Sequence, residues 1–137
     1  MKKAIVTGGA GFIGSHIVDH LLSVGWYVVV IDNESAEAHD KFYWNNKAEN
    51  HQLDIRDYES IRSLFNDVDF VFHLAAEARI EPTLRNPVLA ADVNTVGTCT
   101  ILQCAKEAGV KRVIYSSTSA AYGLANDIPN SEEMQND

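Results

Sequence analysis

Four glycines stand directly after the first apolar run of the sequence. In the segment TGGAGFIG (residues 7–14), Gly9, Gly11 and Gly14 fit the pattern G-x-G-x-x-G, and Gly8, Gly11 and Gly14 fit the wider G-x-x-G-x-x-G. Glycine suits three demands at such a place: a sharp turn out of a strand, close approach of the backbone to a pyrophosphate, and close packing of the next helix on the sheet. The N-terminus of that helix offers free N–H groups and the positive end of its dipole to phosphate groups. These residues predict a dinucleotide-binding loop.

Two acidic residues follow the glycine loop at the ends of later strands. Asp32 ends the second apolar run, 18 residues beyond Gly14, where a carboxylate accepts hydrogen bonds from an adenosine ribose. Such a carboxylate suits the free 2′-hydroxyl of NAD and repels the 2′-phosphate of NADP, and no arginine stands beside it to offset the repulsion. We therefore expect NAD rather than NADP. Asp54 ends the third predicted strand, where it either reaches the adenine or caps a loop.

Strand and helix patterns alternate along the chain and would bring these residues to one edge of a sheet. Apolar or β-branched runs predict strands at residues 4–7, 28–32, 50–54, 68–74 and 110–115. Helical spacing of apolar residues runs from Ile13 to Leu22, follows a capping Asp57, and extends from Asn86-Pro87 to Gly109. Alternating strands and helices indicate a parallel sheet with right-handed crossovers. We expect a doubly wound α/β fold, a Rossmann fold, with strand order 3-2-1-4-5.

Length and composition restrict the classes of protein to which the chain can belong. Its 137 residues suffice for one domain, and we expect that domain over residues 1–125, with a polar acidic tail over 126–137. A net charge of −8 disfavours nucleic acid and anionic membranes as partners. The sequence has no apolar run of membrane-spanning length, no signal-peptide pattern, and no metal-type or disulfide-type spacing of Cys99 and Cys104. These features indicate a reduced, cytoplasmic protein without a metal site.

Six blocks of the sequence occur in the order in which one enzyme family carries them. They are TGGAGFIGSHIVDHLL (7–22), the pair Asp32-Asn33, LDIRD (53–57), HLAA (73–76), NTVGT (94–98) and SSTSAAYG (116–123). On these blocks the chain resembles the extended short-chain dehydrogenases, and within them the NAD-dependent epimerases and dehydratases of nucleotide sugars. Among these it is most similar to UDP-glucose 4-epimerases. The resemblance covers nearly the whole chain and implies NAD as the cofactor.

The resemblance also implies roles for individual residues. Those implied to hold the cofactor are Gly8, Gly11, Phe12, Ile13 and Gly14 at the pyrophosphate, Asp32 and Asn33 at the ribose, Asp54 and Ile55 at the adenine, Leu74, Ala75 and Ala76 beneath the cofactor, Asn94 as a buried polar support, and Ser116 after the fifth strand. Thr118 matches the family's catalytic Ser/Thr, which hydrogen-bonds the 4-hydroxyl of the sugar. An ordinary loop cap is the alternative interpretation of Thr118. The implied reaction removes a hydride from carbon 4 of the sugar, giving a 4-keto intermediate, and returns it.

The family's proton-transferring tyrosine stands in a Y-x-x-x-K motif, in which lysine lowers the pKa of the phenol. Counted from Thr118, this tyrosine is expected beyond Asp137. Tyr43 has a lysine at the same spacing, but it follows the second strand near the adenosine end, so we interpret it as an aromatic residue in a variable loop. His73 follows a buried strand, and we interpret it as a hydrogen-bonded histidine near the core rather than a catalytic base.

Two functions from different classes fit these observations. The first is the NAD-binding portion of a nucleotide-sugar epimerase or dehydratase, which would bind the sugar only with a C-terminal substrate domain and would be inactive alone. The second is a stand-alone NAD-binding or assembly module without catalysis. We also expect a homo-oligomer, because strand 110–115 would form an outer edge and a stripe of Leu89, Val93 and Ile101 would be exposed.

Overall fold

The centre of the molecule is a parallel sheet of five strands in the order β3-β2-β1-β4-β5. The structure is a computed structural model that describes residues 1–37, 41–123, 129 and 131–134, so most of the predicted tail over 126–137 lies outside the described residues. The strands are β1 (Lys3–Thr7), β2 (Tyr27–Asp32), β3 (Glu49–Gln52), β4 (Phe70–His73) and β5 (Arg112–Tyr115). The predicted fold class and strand order are confirmed.

The helices lie between the strands, as a doubly wound fold requires. They are α1 (Phe12–Ser23), α2 (Tyr58–Ile61), which continues into a 3₁₀ turn (Arg62–Phe65), α3 (Ile80–Arg85), α4 (Pro87–Ala91) and α5 (Thr98–Glu107). A π-helical segment (Asp92–Gly97) joins α4 to α5, so that Pro87–Glu107 forms one long helix. Two predicted caps are present: the side chain of Asp57 accepts the N–H of Ser60, and that of Asn86 accepts the N–H of Leu89. The sequence patterns did not predict α3 or the π segment.

Helices cover both faces of the sheet, and successive residues of β1 and β2 pack on opposite faces. Alternation along a strand sends Ile5 toward one side and Ala4 and Val6 toward the other. The first side packs against residues of α2 and α5, among them Ile61, and the second against residues of α1, among them Val18. Burial on both faces explains why these strands are almost continuously apolar in sequence.

The long helix turns toward the sheet a residue of the stripe that we expected to be exposed. Ile101 is fully buried and packs in the core with Cys104 and Ala105, so the prediction that it belongs to an exposed stripe was wrong. The apolar pattern of this helix has residues on more than one side, and spacing alone did not tell which side meets the sheet. By length and composition the helix Pro87–Glu107 is also apolar enough to span a membrane, a test that core helices pass as well.

Candidate functional site

A cavity of about 410 Å³ opens at the carboxyl ends of the parallel strands. Every residue that was predicted to hold the cofactor lines it except Asn94, namely Gly8, Gly11, Phe12, Ile13, Gly14, Asp32, Asn33, Asp54, Ile55, Leu74, Ala75, Ala76 and Ser116. In open α/β sheets, ligands bind in the crevice outside these strand ends, near the point where the strand order reverses. The fold therefore gathers these residues, from five separate stretches of the sequence, around one cavity.

The glycine loop is packed so tightly that side chains would block it. Gly8 has a φ of +69°, and a Cβ atom there would lie 2.8 Å from the main-chain nitrogen of Ala75. A Cβ atom on Gly14 would lie 2.1 Å from the carbonyl oxygen of Gly8. The loop thus folds back on itself and against the chain that leaves β4. Only residues without a Cβ atom allow this close packing, and both glycines line the cavity, where a pyrophosphate needs a close approach to the backbone.

The N-terminus of α1 faces the same cavity. Gly11 is the N-cap residue, and no side chain among the described residues caps this end of the helix. The first N–H groups of a helix have no partner within the helix, and the helix dipole places partial positive charge there. Phe12 and Ile13, which begin the helix, are 70% and 61% exposed. The end of α1 is therefore suited to a phosphate group.

Asp32 is held in one orientation at the end of β2, where it is only 9% exposed. The N–H of Ala10 in the glycine loop donates to its Oδ2 at 3.0 Å, and the N–H of Glu34 donates to its Oδ1 at 2.8 Å. Each carboxylate oxygen can accept a second hydrogen bond. The carboxylate thus supports the glycine loop and keeps acceptor capacity for the hydroxyls of a ribose.

A strained turn supplies one of these two donors. Glu34 has a φ of 56°, the left-handed region that non-glycine residues rarely adopt. Its carboxylate accepts the indole N–H of Trp44 at 2.7 Å and the side-chain amide of Gln52 at 2.9 Å. These two bonds come from separate parts of the chain and hold the turn in place. Positions of this kind persist only where the surroundings over-determine them.

Asp54 caps a loop, which is one of the two alternatives that its sequence position left open, and its contact with adenine stays a prediction. Its Oδ1 accepts the main-chain N–H of Arg56 at 2.9 Å, which caps the turn after β3, and its side chain also lines the cavity. The hydrogen bonds from the guanidinium of Arg56 lower the pKa of Asp54 to about 2. The group is therefore an ionised acceptor at neutral pH.

Asn94 supports a wall of the cavity without lining it. Its Oδ1 accepts the N–H of Glu77 at 2.8 Å, and its Nδ2 donates to the carbonyl oxygen of Glu77 at 3.0 Å. This pair of bonds ties the chain after β4 to the π segment of the long helix. Asn94 thus lies one layer behind the wall, where the resemblance implied a polar support, and a direct contact with the cofactor stays a prediction.

Thr118 lies outside the cavity lining, although Ser116 and Ser117 belong to it. Its Oγ1 accepts the N–H of Ala120 at 3.2 Å and so caps a short 3₁₀ turn, Ser119–Tyr122. This is the loop-cap geometry that we gave as the alternative interpretation of this residue. The hydrogen bond from Thr118 to a sugar stays a prediction. The hydroxyl of Tyr43 points instead to Asp19 of α1, at 3.4 Å, and Tyr43 does not line the cavity.

Several residues of the cavity wall were missed in the sequence. They are Ser35, Ala36, Glu37, Phe42, Leu53, Glu77, Ala78, Arg79, Pro82, Val93 and Ser117. Most of them follow a predicted strand end within a few residues. Extending the predicted site along each loop after its strand would therefore have found them. Among the described residues, Arg79 is the one cationic side chain of the lining, opposite four carboxylates. Spacing gives no signal for that residue.

Comparison with known proteins agrees with this geometry. The family described as NAD dependent epimerase/dehydratase matches residues 4–137. The chain belongs to this family. Two similar epimerases are a putative UDP-glucose 4-epimerase of Methanocaldococcus jannaschii, 39% identical over 91% of this chain, and a UDP-glucose 4-epimerase of Lacticaseibacillus casei, 38% identical over 90%. The resemblance stated from the sequence blocks is thus confirmed.

Solved structures of epimerases share the fold of the chain. The UDP-glucose 4-epimerase of Thermotoga maritima, solved with UDP-glucose, superposes on 98% of this chain with a TM-score of 0.85 and 36% identity. That of Thermus thermophilus, solved in complex with NAD, gives a TM-score of 0.84 and 33% identity over 98%. The chain covers 44% of each of these two structures, and 41% and 38% of the two relatives named above. It thus spans about two fifths of the length of these epimerases.

Proposed function

We propose that this chain forms the NAD-binding part of a nucleotide-sugar epimerase of the UDP-glucose 4-epimerase type. The observation that carries the proposal is the Asp32 carboxylate, fixed by the glycine loop at the end of β2 and retaining acceptor capacity at the cavity. Membership of an NAD-dependent family and neighbours solved with NAD support the same conclusion.

The residues present fit NAD on three independent observations. The glycine loop packs backbone against backbone with no room for a Cβ atom at Gly8 or Gly14. Within the part of the chain that the structure describes, the N-terminus of α1 has no side-chain cap, and each carboxylate oxygen of Asp32 accepts one hydrogen bond and can accept another. In this proposal Phe12 and Ile13 contribute N–H groups to the pyrophosphate, and Asp32 and Asn33 hold the ribose. The nicotinamide of NAD held by these residues would supply a reversible hydride acceptor for carbon 4 of the sugar.

The remaining roles concern the part of the cavity wall that leaves β4 and β5. Ala75 and Ala76 have small side chains, which leave room for the cofactor to lie against the backbone. Thr118 is proposed to hydrogen-bond the 4-hydroxyl of the sugar and so orient the carbon that loses the hydride. A nucleotide sugar is supported as the substrate because the Thermotoga maritima relative was solved with UDP-glucose.

Binding calorimetry on the 137-residue chain tests the first part of the proposal. NAD is expected to bind at one site per chain, and NADP at least roughly tenfold more weakly, because the 2′-phosphate meets the Asp32 carboxylate. ADP-ribose is expected to compete with NAD, since the contacts to the adenosine and the pyrophosphate lie within the described wall. A folded chain that binds no NAD, or that binds NAD and NADP equally, contradicts the proposal.

A further inference from the structure

The chain that follows β2 returns both to the glycine loop and to the turn after Asp32. The main-chain N–H of Tyr43 donates to the carbonyl oxygen of Ala10 in the glycine loop at 3.0 Å. From the next residue, the indole N–H of Trp44 donates to Oε1 of Glu34 at 2.7 Å. Tyr43 and Trp44 both lie outside the cavity lining. Two successive residues outside the cavity thus contact two stretches whose neighbouring residues form its wall.

These contacts close a circuit of hydrogen bonds around the Asp32 carboxylate. Its Oδ2 accepts the N–H of Ala10 at 3.0 Å, and its Oδ1 accepts the N–H of Glu34 at 2.8 Å. Trp44 connects Glu34 to Tyr43, its neighbour in the chain, and Tyr43 returns to Ala10. Each donor to Asp32 is therefore held by another member of the circuit. A carboxylate that is fixed from both sides loses little freedom when a ligand binds to it, and this favours binding.

Contacts with the rest of the domain hold the circuit in place. The side-chain amide of Asn45 donates to Oδ1 of Asp19 on α1 at 2.7 Å. The ring of Trp44 packs against the core on the α1 side of the sheet. Gln52, the last residue of β3, donates to Oε2 of Glu34 at 2.9 Å. The circuit is thus attached to α1, to the core and to the edge strand β3.

The backbone conformation of Glu34 links the circuit to the cavity. Asp32, Asn33 and the residues at 35–37 line the cavity, whereas Glu34 does not. Its left-handed turn, with φ of 56°, directs one side chain toward Trp44 and leaves the residues on both sides of it at the cavity. Strained positions of this kind cluster at binding and active sites, where the surroundings maintain them.

We propose that Glu34 and Trp44 are positioning residues that hold the Asp32 carboxylate in the orientation that takes the ribose hydroxyls, so that the chain after β2 sets the cofactor affinity without contacting the cofactor. The inference rests on the proposed binding of NAD. Neither residue belongs to the six sequence blocks on which the family resemblance rests. A binding group is precise only as far as the contacts behind it lock its rotamer.

The two cofactors respond differently when this orientation is lost. Without the indole N–H the turn at Glu34 relaxes, and its main-chain N–H leaves Oδ1 of Asp32. NAD then loses an oriented acceptor for its ribose. NADP loses a repulsive contact, because its 2′-phosphate opposes a carboxylate at this place. The preference for NAD therefore falls, whereas a general loosening of the fold weakens both cofactors alike.

Calorimetry with NAD and NADP on the 137-residue chain tests Trp44→Phe, which removes the indole N–H and keeps an aromatic ring at the core. NAD is expected to bind about three- to tenfold more weakly, and NADP to stay within about twofold of its affinity for the unmutated chain. The matched control is Trp26→Phe, just before the start of β2, where the ring packs on Phe70 outside the cavity. This control is expected to leave both affinities unchanged.

A second comparison shows whether Trp44 acts through Asp32. In Asp32→Asn the carboxylate that the circuit orients is gone, so the addition of Trp44→Phe is expected to change the NAD affinity less than about twofold. An equal loss from Trp44→Phe in both backgrounds would mean that Trp44 acts independently of Asp32, and it overturns the inference.

The outcomes separate this inference from the proposed function. A folded Trp44→Phe chain with unchanged NAD affinity, or with equal losses for NAD and NADP, overturns the inference while NAD binding by the unmutated chain stands. An unmutated chain that does not bind NAD overturns the proposed function and the inference with it. If Trp44→Phe does not fold, Glu34→Gly decides, because glycine adopts the left-handed turn without strain and removes the carboxylate. A reduced preference for NAD in Glu34→Gly supports the inference, and an unchanged preference overturns it.

Discussion

The hydroxyl oxygen of Thr7 lies 2.6 Å from Nδ1 of His73, and its other partners fix the direction of this hydrogen bond. The same oxygen accepts the N–H groups of Leu74 at 3.2 Å and Ala75 at 3.3 Å. With both lone pairs engaged, the hydroxyl donates its proton to Nδ1. The ring proton of His73 is therefore on Nε2, which donates to Oγ1 of Thr98 at 2.9 Å. The chain that lines the cavity after β4 thus depends on a neutral imidazole.

Acid is expected to destabilise the fold through His73. Burial lowers its pKa from 6.5 to about 4, whereas in the unfolded chain the ring titrates near 6.5. The unfolded state therefore binds more protons between these values, so stability is full above pH 6.5 and falls as the pH is lowered toward 4. Urea unfolding is expected to show a loss of about 2 kcal/mol between pH 7 and pH 5.

The control for this prediction is His73→Gln, which has no titrating group at the same place. Carboxyl groups with lowered pKa values, such as Asp54, lose their contribution only below the ordinary carboxyl range, so they do not interfere above pH 5. The variant is expected to be less stable at pH 7 and to lack most of the slope. Equal slopes in the two proteins would assign the pH dependence to other groups.

The charge of Asp32 is expected to set both the affinity for NAD and the choice against NADP. A hydrogen bond to a charged group contributes about 1.5–3 kcal/mol, so Asp32→Asn is expected to weaken NAD binding roughly tenfold or more and to bring the two affinities closer together. Asp57→Asn is the matched control, because this carboxylate caps α2 and does not line the cavity. Calorimetry that finds the same NAD affinity in Asp32→Asn and Asp57→Asn is incompatible with the role proposed for Asp32.

The sequence allowed Asp32 to be placed correctly because its position depends on local patterns. A glycine loop, an amphipathic helix and a second strand have fixed lengths, so the end of β2 falls beside the loop in any fold of this class. The donors that hold Glu34, in contrast, come from Trp44 and Gln52, and a sequence pattern does not show such contacts between separate segments.

The long helix also combines features that the sequence pattern predicts with features that it does not. The sequence predicted its start at Asn86 and its apolar content. It did not predict the π segment Asp92–Gly97, because a helix with i→i+5 bonds has no distinct periodicity over a single turn. That segment turns Ile101 into the core and brings Asp92 to Arg56. The departures from the prediction thus lie in contacts between elements, whereas the elements themselves were predictable.

Gly14 is expected to tolerate no side chain, although it lies in a helix where alanine is ordinarily preferred to glycine. A Cβ atom there would lie 2.1 Å from the carbonyl oxygen of Gly8, so Gly14→Ala must displace the glycine loop. Overpacking of this kind costs about 1–3 kcal/mol, and NAD binding is expected to be lost or weakened more than roughly tenfold. His20→Ala, at an exposed position of the same helix away from the cavity, controls for helix propensity. Normal NAD binding by Gly14→Ala would contradict the tight packing of the glycine loop at this position.

Thr118 is expected to matter for turnover and not for cofactor affinity. The experiment uses a chimera in which residues 1–137 replace the matching segment of the Thermotoga maritima epimerase, assayed with UDP-glucose and UDP-galactose. Removal of one hydrogen bond that strengthens in the transition state lowers kcat by about 10²–10³-fold, and we expect Thr118→Val to fall in that range. The control, Thr100→Val, removes a hydroxyl that donates to the carbonyl oxygen of Val96 on the long helix. Equal turnover of the two variants would leave Thr118 as a loop cap.

Self-association at micromolar concentration is expected from the apolar surface of the long helix and from β5. Val88 is 78% and Leu102 49% exposed, and Tyr115, on the edge strand, is 59% exposed. Exposed apolar side chains and unpaired strand edges favour contact between copies. The net charge of −8 opposes contact, but separated surface charges are screened beyond about 8 Å at physiological ionic strength.

Sedimentation is expected to show a dimer or larger species. Leu102→Glu is expected to weaken this association. The control, Ser63→Glu, adds the same charge at another exposed position and is expected to leave the association unchanged. A folded monomer of 15.1 kDa throughout this range would contradict the expectation.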